Sequence, residues 1–221
     1  MEDFQLHDIH ATAPFPSLKR GLVAILRGLT PEEAEPIGTV LAEAGFEAIE
    51  VPLNSPQPLR SVEILARAFG DRLLIGAGTV LSARAVEDVA SAGGRLIVSP
   101  NVEAEVLVEA ARRGLVSMPG VFTPTEALAA LRYGASALKF FPANVLGAAG
   151  LGAIRAILPP GTLTGAVGGV AEPDFPAFWQ AGVRVFGLGT SLYRPGDHPD
   201  EVAKRARRVI AAYDALPAGR S

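Results

Sequence analysis

The chain has 221 residues, 49% of them hydrophobic, a formal net charge of −3 and no cysteine. That is enough chain for one large core and suits a single α/β barrel domain. The missing basic field argues against nucleic acid as a partner, and the missing cysteine removes disulfide and thiolate chemistry.

Residues 1–20 begin with the acidic Met1-Glu2-Asp3, lack an apolar signal-peptide core, and are read as a segment with a candidate helix at the floor of a barrel. No apolar run is long enough to span a bilayer, so a cytoplasmic protein without membrane contact is expected. Residues 21–221 alternate short apolar strands with amphipathic helical stretches. The predicted strands are Leu22–Arg27, Phe46–Val51, Leu73–Gly78, Leu96–Ser99, Val116–Met118, Ala137–Phe141, Leu163–Val167 and Val185–Leu188. Helices are predicted to start near Pro31, Gln57, Ser82, Val102, Thr125, Gly147, Pro173 and Pro199. Thr30-Pro31-Glu32-Glu33 and Thr123-Pro124-Thr125-Glu126 carry helix-start chemistry: a capping hydroxyl, a proline in the first turn and acids near the positive helix end. Gly45, Gly70, Gly93, Gly114, Gly134 and Gly182 fall where helices should stop. Leu216–Ser221 is read as a frayed tail. Eight strand–helix units at about 25-residue spacing favour one α/β domain, a closed (β/α)8 TIM barrel, over an open doubly wound sheet.

Side chains alternate along a strand, so Lys139 shares a face with Ala137 and Phe141, Glu50 with Ala48, Arg27 with Ile25, Thr79 with Ile75 and Ala77, and Val167 with Gly165. These charged residues sit toward the C-terminal strand ends, where barrel active sites form. The predicted interior holds Arg27, Glu50, Thr79 and Lys139 above a floor of small residues. The chain has three lysines; Lys19 and Lys204 adjoin arginines, whereas Lys139 stands alone in Ala137-Leu138-Lys139-Phe140-Phe141-Pro142. Apolar surroundings lower a lysine pKa, and a neutral amine attacks carbonyls to form a Schiff base. Plainer readings exist: Lys139 snorkels, or Glu50 and Lys139 form a buried structural ion pair; Arg27 is a surface arginine, and Thr79 caps a helix. The three histidines, His7, His10 and His198, lie in the N-terminal stretch and a Pro/Asp-rich loop, so no histidine metal site is expected.

Glycine-rich turns follow the last two strands: Val167-Gly168-Gly169-Val170 and Gly187-Leu188-Gly189-Thr190-Ser191. Barrels often bind phosphate at these two turns through backbone N–H groups.

Together the runs Ala24-Ile25-Leu26-Arg27-Gly28, Glu50-Val51-Pro52-Leu53-Asn54-Ser55-Pro56, Gly76-Ala77-Gly78-Thr79-Val80, Ser99-Pro100-Asn101, Pro119-Gly120, Leu138-Lys139-Phe140-Phe141-Pro142 and Ala166-Val167-Gly168-Gly169 resemble, in order, the 2-keto-3-deoxy-6-phospho-sugar-acid (KDPG/KHG) aldolases. The resemblance spans residues 21 to about 195. It implies a trimeric class I aldolase that needs no metal and no cofactor and cleaves a phosphorylated keto-deoxy acid to pyruvate and D-glyceraldehyde 3-phosphate. In the family's gluconate branch an arginine stands at the position of Asn54 and a threonine at that of Val167. In the galactonate branch the carboxylate-binding arginine comes from the first strand, where Arg27 stands, so the chain is similar to that branch.

The resemblance implies that Lys139 forms the imine and that Glu50 moves protons at C3 and C4. It further implies that Thr79 and Arg27 hold the pyruvyl end, that Pro100 and Phe141 pack on it, and that Gly168, Gly169, Gly189, Thr190 and Ser191 take the phosphate. Two other classes stay open on the residues: a phosphosugar epimerase or related barrel enzyme with Lys139 as an electrostatic group, and a non-catalytic phosphosugar-binding barrel.

Overall fold

The computed structural model describes residues 13–217. Nine parallel strand segments, β1 (Leu22–Ile25), β2 (Ala48–Pro52), β3 (Leu74–Gly78), β4 (Leu96–Val98), β5 (Val116–Met118), β6 (Gly120–Val121), β7 (Leu138–Phe140), β8 (Thr164–Val167) and β9 (Val185–Leu188), pair in the order β5-β4-β3-β2-β1-β9-β8-β7-β6. The end segments β5 and β6 are consecutive in the chain on either side of Pro119, so together they form the fifth strand of an eight-stranded barrel. Proline has no N–H to give a ladder, but its carbonyl closes the ring by accepting from Lys139 N–H at 2.9 Å. The predicted seventh and eighth strands are therefore β8 and β9.

The eight outer helices are α1 (Pro31–Ala44), α2 (Pro58–Phe69), α3 (Ala83–Ser91), α4 (Ala104–Arg112), α5 (Pro124–Arg132), α6 (Ala143–Arg155), α7 (Phe175–Gln180) and α8 (Pro199–Asp214). The predicted cap of α5 forms in full, with Glu126 N–H donating to Thr123 Oγ1 at 3.3 Å, whereas at α1 the acid takes part and the Thr30 hydroxyl makes no capping hydrogen bond. Thr30 N–H donates to Glu33 Oε2 at 2.9 Å at the start of α1, and Thr123 N–H donates to Glu126 Oε2 at 2.9 Å at the start of α5. Gly45 ends α1 in the left-handed region at φ 104. The sixth helix starts earlier than predicted, at Ala143, and Gly147 is instead a kink within it at φ 70 and ψ 165.

Two apolar layers result. Ala24, Ile49, Ile75, Leu138, Ala166 and Phe186 point outward to the helices, while Val23, Ala48, Leu74, Leu96, Val98, Met118, Ala137 and Val185 fill the inner base of the barrel. The floor is thus built mostly of larger apolar side chains, with Ala48 and Ala137 as its small members, where small residues throughout were predicted. Glycines make the room: a Cβ at Gly165 would lie 2.3 Å from Met118 Cε, and one at Gly76 would lie 1.9 Å from the Leu96 carbonyl oxygen. Residues 13–18 carry no helix; Ala13, Phe15 and Leu18 pack against that floor. The rest of the predicted N-terminal helix, with His7 and His10, lies outside the described residues, as does tail segment 218–221. No helix of the described residues is long and apolar enough to cross a membrane.

Candidate active site

The C-terminal strand ends open into a cavity of about 650 Å³. Arg27, Glu50, Thr79, Pro100, Lys139, Phe141, Val167, Gly168, Gly169, Gly189, Thr190 and Ser191 all line it, so every predicted site residue meets in one place.

Lys139 enters from the middle of β7 and is 6% exposed; Glu50 enters from β2 and is 2% exposed. No salt bridge within 4.0 Å joins them, and among the described residues Glu50 Oε2 has no hydrogen-bond partner. This argues against the structural ion pair, which would satisfy both groups directly. Burial lowers the Lys139 pKa, with Glu50 opposing and Arg27 reinforcing that shift. Burial raises Glu50 to about 7 against the pull of Lys139 and then Arg27. An amine poised to lose its proton thus faces a carboxyl poised to exchange one near neutrality. The Glu50 carboxylate lies over Gly78, where a Cβ would come within 2.0 Å of Oε2. The Lys139 Nζ stands 4.7 Å from the centroid of the Phe141 ring. That ring reaches its position beside Gly168, where a Cβ would sit 3.0 Å from it.

Thr79 reaches the cavity by an unforeseen route. On β3 the inward residues are Leu74, Gly76 and Gly78, whereas Ile75 and Ala77 pack outward, so strict alternation would turn Thr79 away. Its φ is +57, and this left-handed turn brings Thr79 to the cavity wall. Such a conformation is disfavoured for a β-branched residue and clusters at functional sites.

The two glycine turns form the opposite wall. Gly168 and Gly169 have φ of 93 and 67, conformations that favour glycine. Gly189 differs: its φ is not in that region, and a Cβ there would meet nothing within 4 Å. Neither backbone nor packing requires glycine at 189, so its missing side chain leaves room in the cavity itself. Ser191 Oγ donates to the Val170 carbonyl at 3.3 Å, tying the two turns together.

Asn54, Tyr193 and Arg194 also line the cavity and were not among the predicted site residues. Asn54 Oδ1 accepts from Arg27 Nη1 at 2.6 Å. The Tyr193 hydroxyl donates to Glu33 Oε2 at 3.3 Å, and Arg194 Nε donates to the Thr190 carbonyl at 3.3 Å. The chain signal for the last two was their place directly after the second glycine turn. Among the described residues, no group of three or more His, Asp or Glu is gathered so as to hold a metal ion.

Comparison with known proteins agrees with this geometry. The family model "Aldolase: KDPG and KHG aldolase" matches residues 17–201. A Rhizobium meliloti (strain 1021) protein described as a probable 2-dehydro-3-deoxy-6-phosphogalactonate aldolase is 56% identical over 206 residues, covering 93% of this chain and 97% of that one. The solved structure of native KDPGal superposes with a TM-score of 0.89 at 42% identity, covering 91% of this chain and 97% of that one. A KDPG aldolase of Legionella pneumophila, solved with pyruvate captured as a covalent carbinolamine, gives a TM-score of 0.77 at 26% identity, covering 86% of this chain and 94% of that one. The match runs through all the strands that carry the cavity, and the chain belongs to the KDPG and KHG aldolase family.

Proposed function

We propose that this chain is a class I aldolase that cleaves 2-dehydro-3-deoxy-6-phospho-D-galactonate to pyruvate and D-glyceraldehyde 3-phosphate. The observation that carries the proposal is the buried, unpaired couple of Lys139 and Glu50 in a cavity that also contains both glycine turns. Neutral Lys139 Nζ attacks the C2 ketone, and the carbinolamine loses water to give a protonated imine. Glu50 takes the C4 hydroxyl proton; the C3–C4 electrons flow into the imine, and the aldehyde leaves. Glu50 returns the proton to C3 of the enamine, and water then hydrolyses the imine to release pyruvate and the free lysine. A carboxyl held near pH 7 suits both directions of this relay. In this reading Arg27 and Thr79 hold the pyruvyl carboxylate, Phe141 and Pro100 cover the imine, and the N–H groups of the glycine turns receive the phosphate.

The Gly189 gap supports the phosphate assignment. Gly189→Ala is expected to leave thermal stability unchanged, because its Cβ meets no atom of the described residues within 4 Å. It is expected to raise KM for the phosphorylated substrate at least about tenfold, through a misplaced or lost charge-assisted hydrogen bond. A normal KM would move the phosphate elsewhere.

The choice of epimer rests on Val167, which ends β8 at the cavity wall. The galactonate and gluconate acids differ at C4, the carbon whose hydroxyl must reach the proton-transfer group. A threonine side chain at 167 could hydrogen-bond that hydroxyl; valine cannot. Pyruvate release from the two epimers side by side is expected to favour the galactonate-derived acid moderately, since one lost hydrogen bond costs about 0.5–1.5 kcal/mol. Val167→Thr should shift the ratio of kcat/KM values toward the gluconate epimer. An unmoved ratio would remove Val167 as the discriminator.

The family resemblance also supports a trimer. Light scattering at micromolar concentration is expected to give about three times the mass of one chain; a monomer mass would refute it.

A further inference from the structure

We infer that Asn54 is a positioning residue that assigns Arg27 to the carboxylate end of the substrate instead of the phosphate end. The inference rests on the reading that Arg27 binds the substrate carboxylate.

The barrel leaves Arg27 a choice. It follows β1, which lies between β2 and β9. On the β2 side stand Glu50 and, just past the end of β3, Thr79; on the β9 side stands the Gly189–Ser191 turn. A long exposed guanidinium at this point has an anion-binding wall on each flank. Among the described residues no carboxylate lies within 4.0 Å of it. Among the described residues the one side chain it hydrogen-bonds is Asn54, whose Oδ1 accepts from Nη1 at 2.6 Å and draws the guanidinium toward β2. Glu50 and Lys139 both feel its charge there.

The turn that carries Asn54 is itself pinned. Leu53 N–H donates to the Gly78 carbonyl at 2.8 Å, and Ser55 N–H donates to the Pro52 carbonyl at 2.9 Å. Ser55 Oγ accepts from Gly28 N–H at 2.9 Å, so the turns after β1 and β2 are stitched by two hydrogen bonds, one of which orients the arginine. An amide oxygen suits this task. It accepts from the guanidinium while leaving the full positive charge and the remaining N–H groups free for a ligand carboxylate. An aspartate in the same place would hold the arginine more tightly but would neutralise it and repel the ligand.

The test uses the full chain and two measurements: steady-state kinetics with the phosphorylated keto-deoxy acid, and borohydride trapping with pyruvate, which has the carboxylate but no phosphate. Asn54→Ala is expected to raise KM and the half-saturating pyruvate concentration about three- to tenfold, with kcat within about twofold, the pattern of lost ground-state binding. Asn54→Asp should be worse than Asn54→Ala on both binding measures, which a merely structural role would not produce. In an Arg27→Ala background, Asn54→Ala should change neither measure by more than about twofold. The inference is overturned if Arg27→Ala weakens pyruvate binding while Asn54→Ala does not, if Asn54→Asp binds as well as wild type, or if the Asn54→Ala effect persists without Arg27. If Arg27→Ala itself leaves pyruvate binding unchanged, the underlying carboxylate reading fails, and that result is distinct from the other three.

Discussion

Lys139→Arg is expected to abolish turnover, lowering kcat by at least about 10⁴-fold, on the scale of losing a catalytic nucleophile. Arginine keeps a positive charge at the end of a long stem, but its guanidinium is never deprotonated in proteins and cannot form the imine. Borohydride reduction in the presence of pyruvate should add one pyruvyl group to the wild-type chain at Lys139 and none to the variant. Label on Lys19 or Lys204 would sink the assignment. Lys139→Met serves as the companion variant. It removes a buried amine whose charged form is disfavoured by desolvation, so the protein should be equally or more stable while inactive. An inactive and unfolded Lys139→Met protein would show instead that Lys139 is needed for the fold.

Glu50→Gln is expected to lower kcat by about 10²–10⁴-fold, the usual worth of a general acid–base group, while leaving trapped pyruvate detectable. The pH behaviour gives a second, independent reading. Burial sets the Glu50 pKa at about 7 in the folded protein, above its ordinary 4.5. For the cleavage step the carboxylate must be ionised, so kcat should fall as pH drops below about 7, and the residual activity of Glu50→Gln should lack that limb. Stability moves in the opposite sense. Between pH 4.5 and about 7 the folded state holds a proton that the unfolded state has released, so stability falls as pH rises through this window. The whole change is on the order of 3 kcal/mol. Chemical denaturation at pH 5 and pH 8 should show this loss in wild type and little of it in Glu50→Gln. A wild type whose stability rises across the window would mean that Glu50 is paired or hydrated in solution.

Much of this site was legible before folding was considered. Lys139 stood out because a charged residue in an apolar strand needs a reason, and the alternation of strand faces placed Glu50 and Val167 on the inside with it. The glycine turns were legible because phosphate-binding barrels concentrate backbone donors after their last two strands. Other residues line the cavity by a route that strand alternation did not give, or were not predicted. Thr79 does line the cavity, but the phase along β3 was off by one residue, and the left-handed backbone at φ +57 compensates. The alternation rule holds only while the strand is regular, and it carries no information about the first residue beyond it. Asn54 was visible only as the place where a different branch carries arginine; its contact with Arg27 joins residues on two strands.

By itself the sequence determined the quantities set by local chemistry. Eight strand–helix units, the Thr-Pro starts of α1 and α5 with a glutamate three residues after the threonine, and the isolation of Lys139 all follow from residue type, spacing and short-range hydrogen bonding, which act within a few positions of the chain. The tertiary structure decided what depends on parts distant in the chain meeting at one point. It divided the fifth strand at Pro119 so that β5 and β6 could pair with different neighbours and close the barrel. It packed Met118 against Gly165 and Leu96 against Gly76 at the floor. It buried the Glu50 carboxyl, leaving Oε2 without a hydrogen-bond partner among the described residues, and burial raised its pKa. The physical reason is desolvation: whether a carboxylate is costly depends on every group that closes around it, and those groups are brought there by the whole barrel.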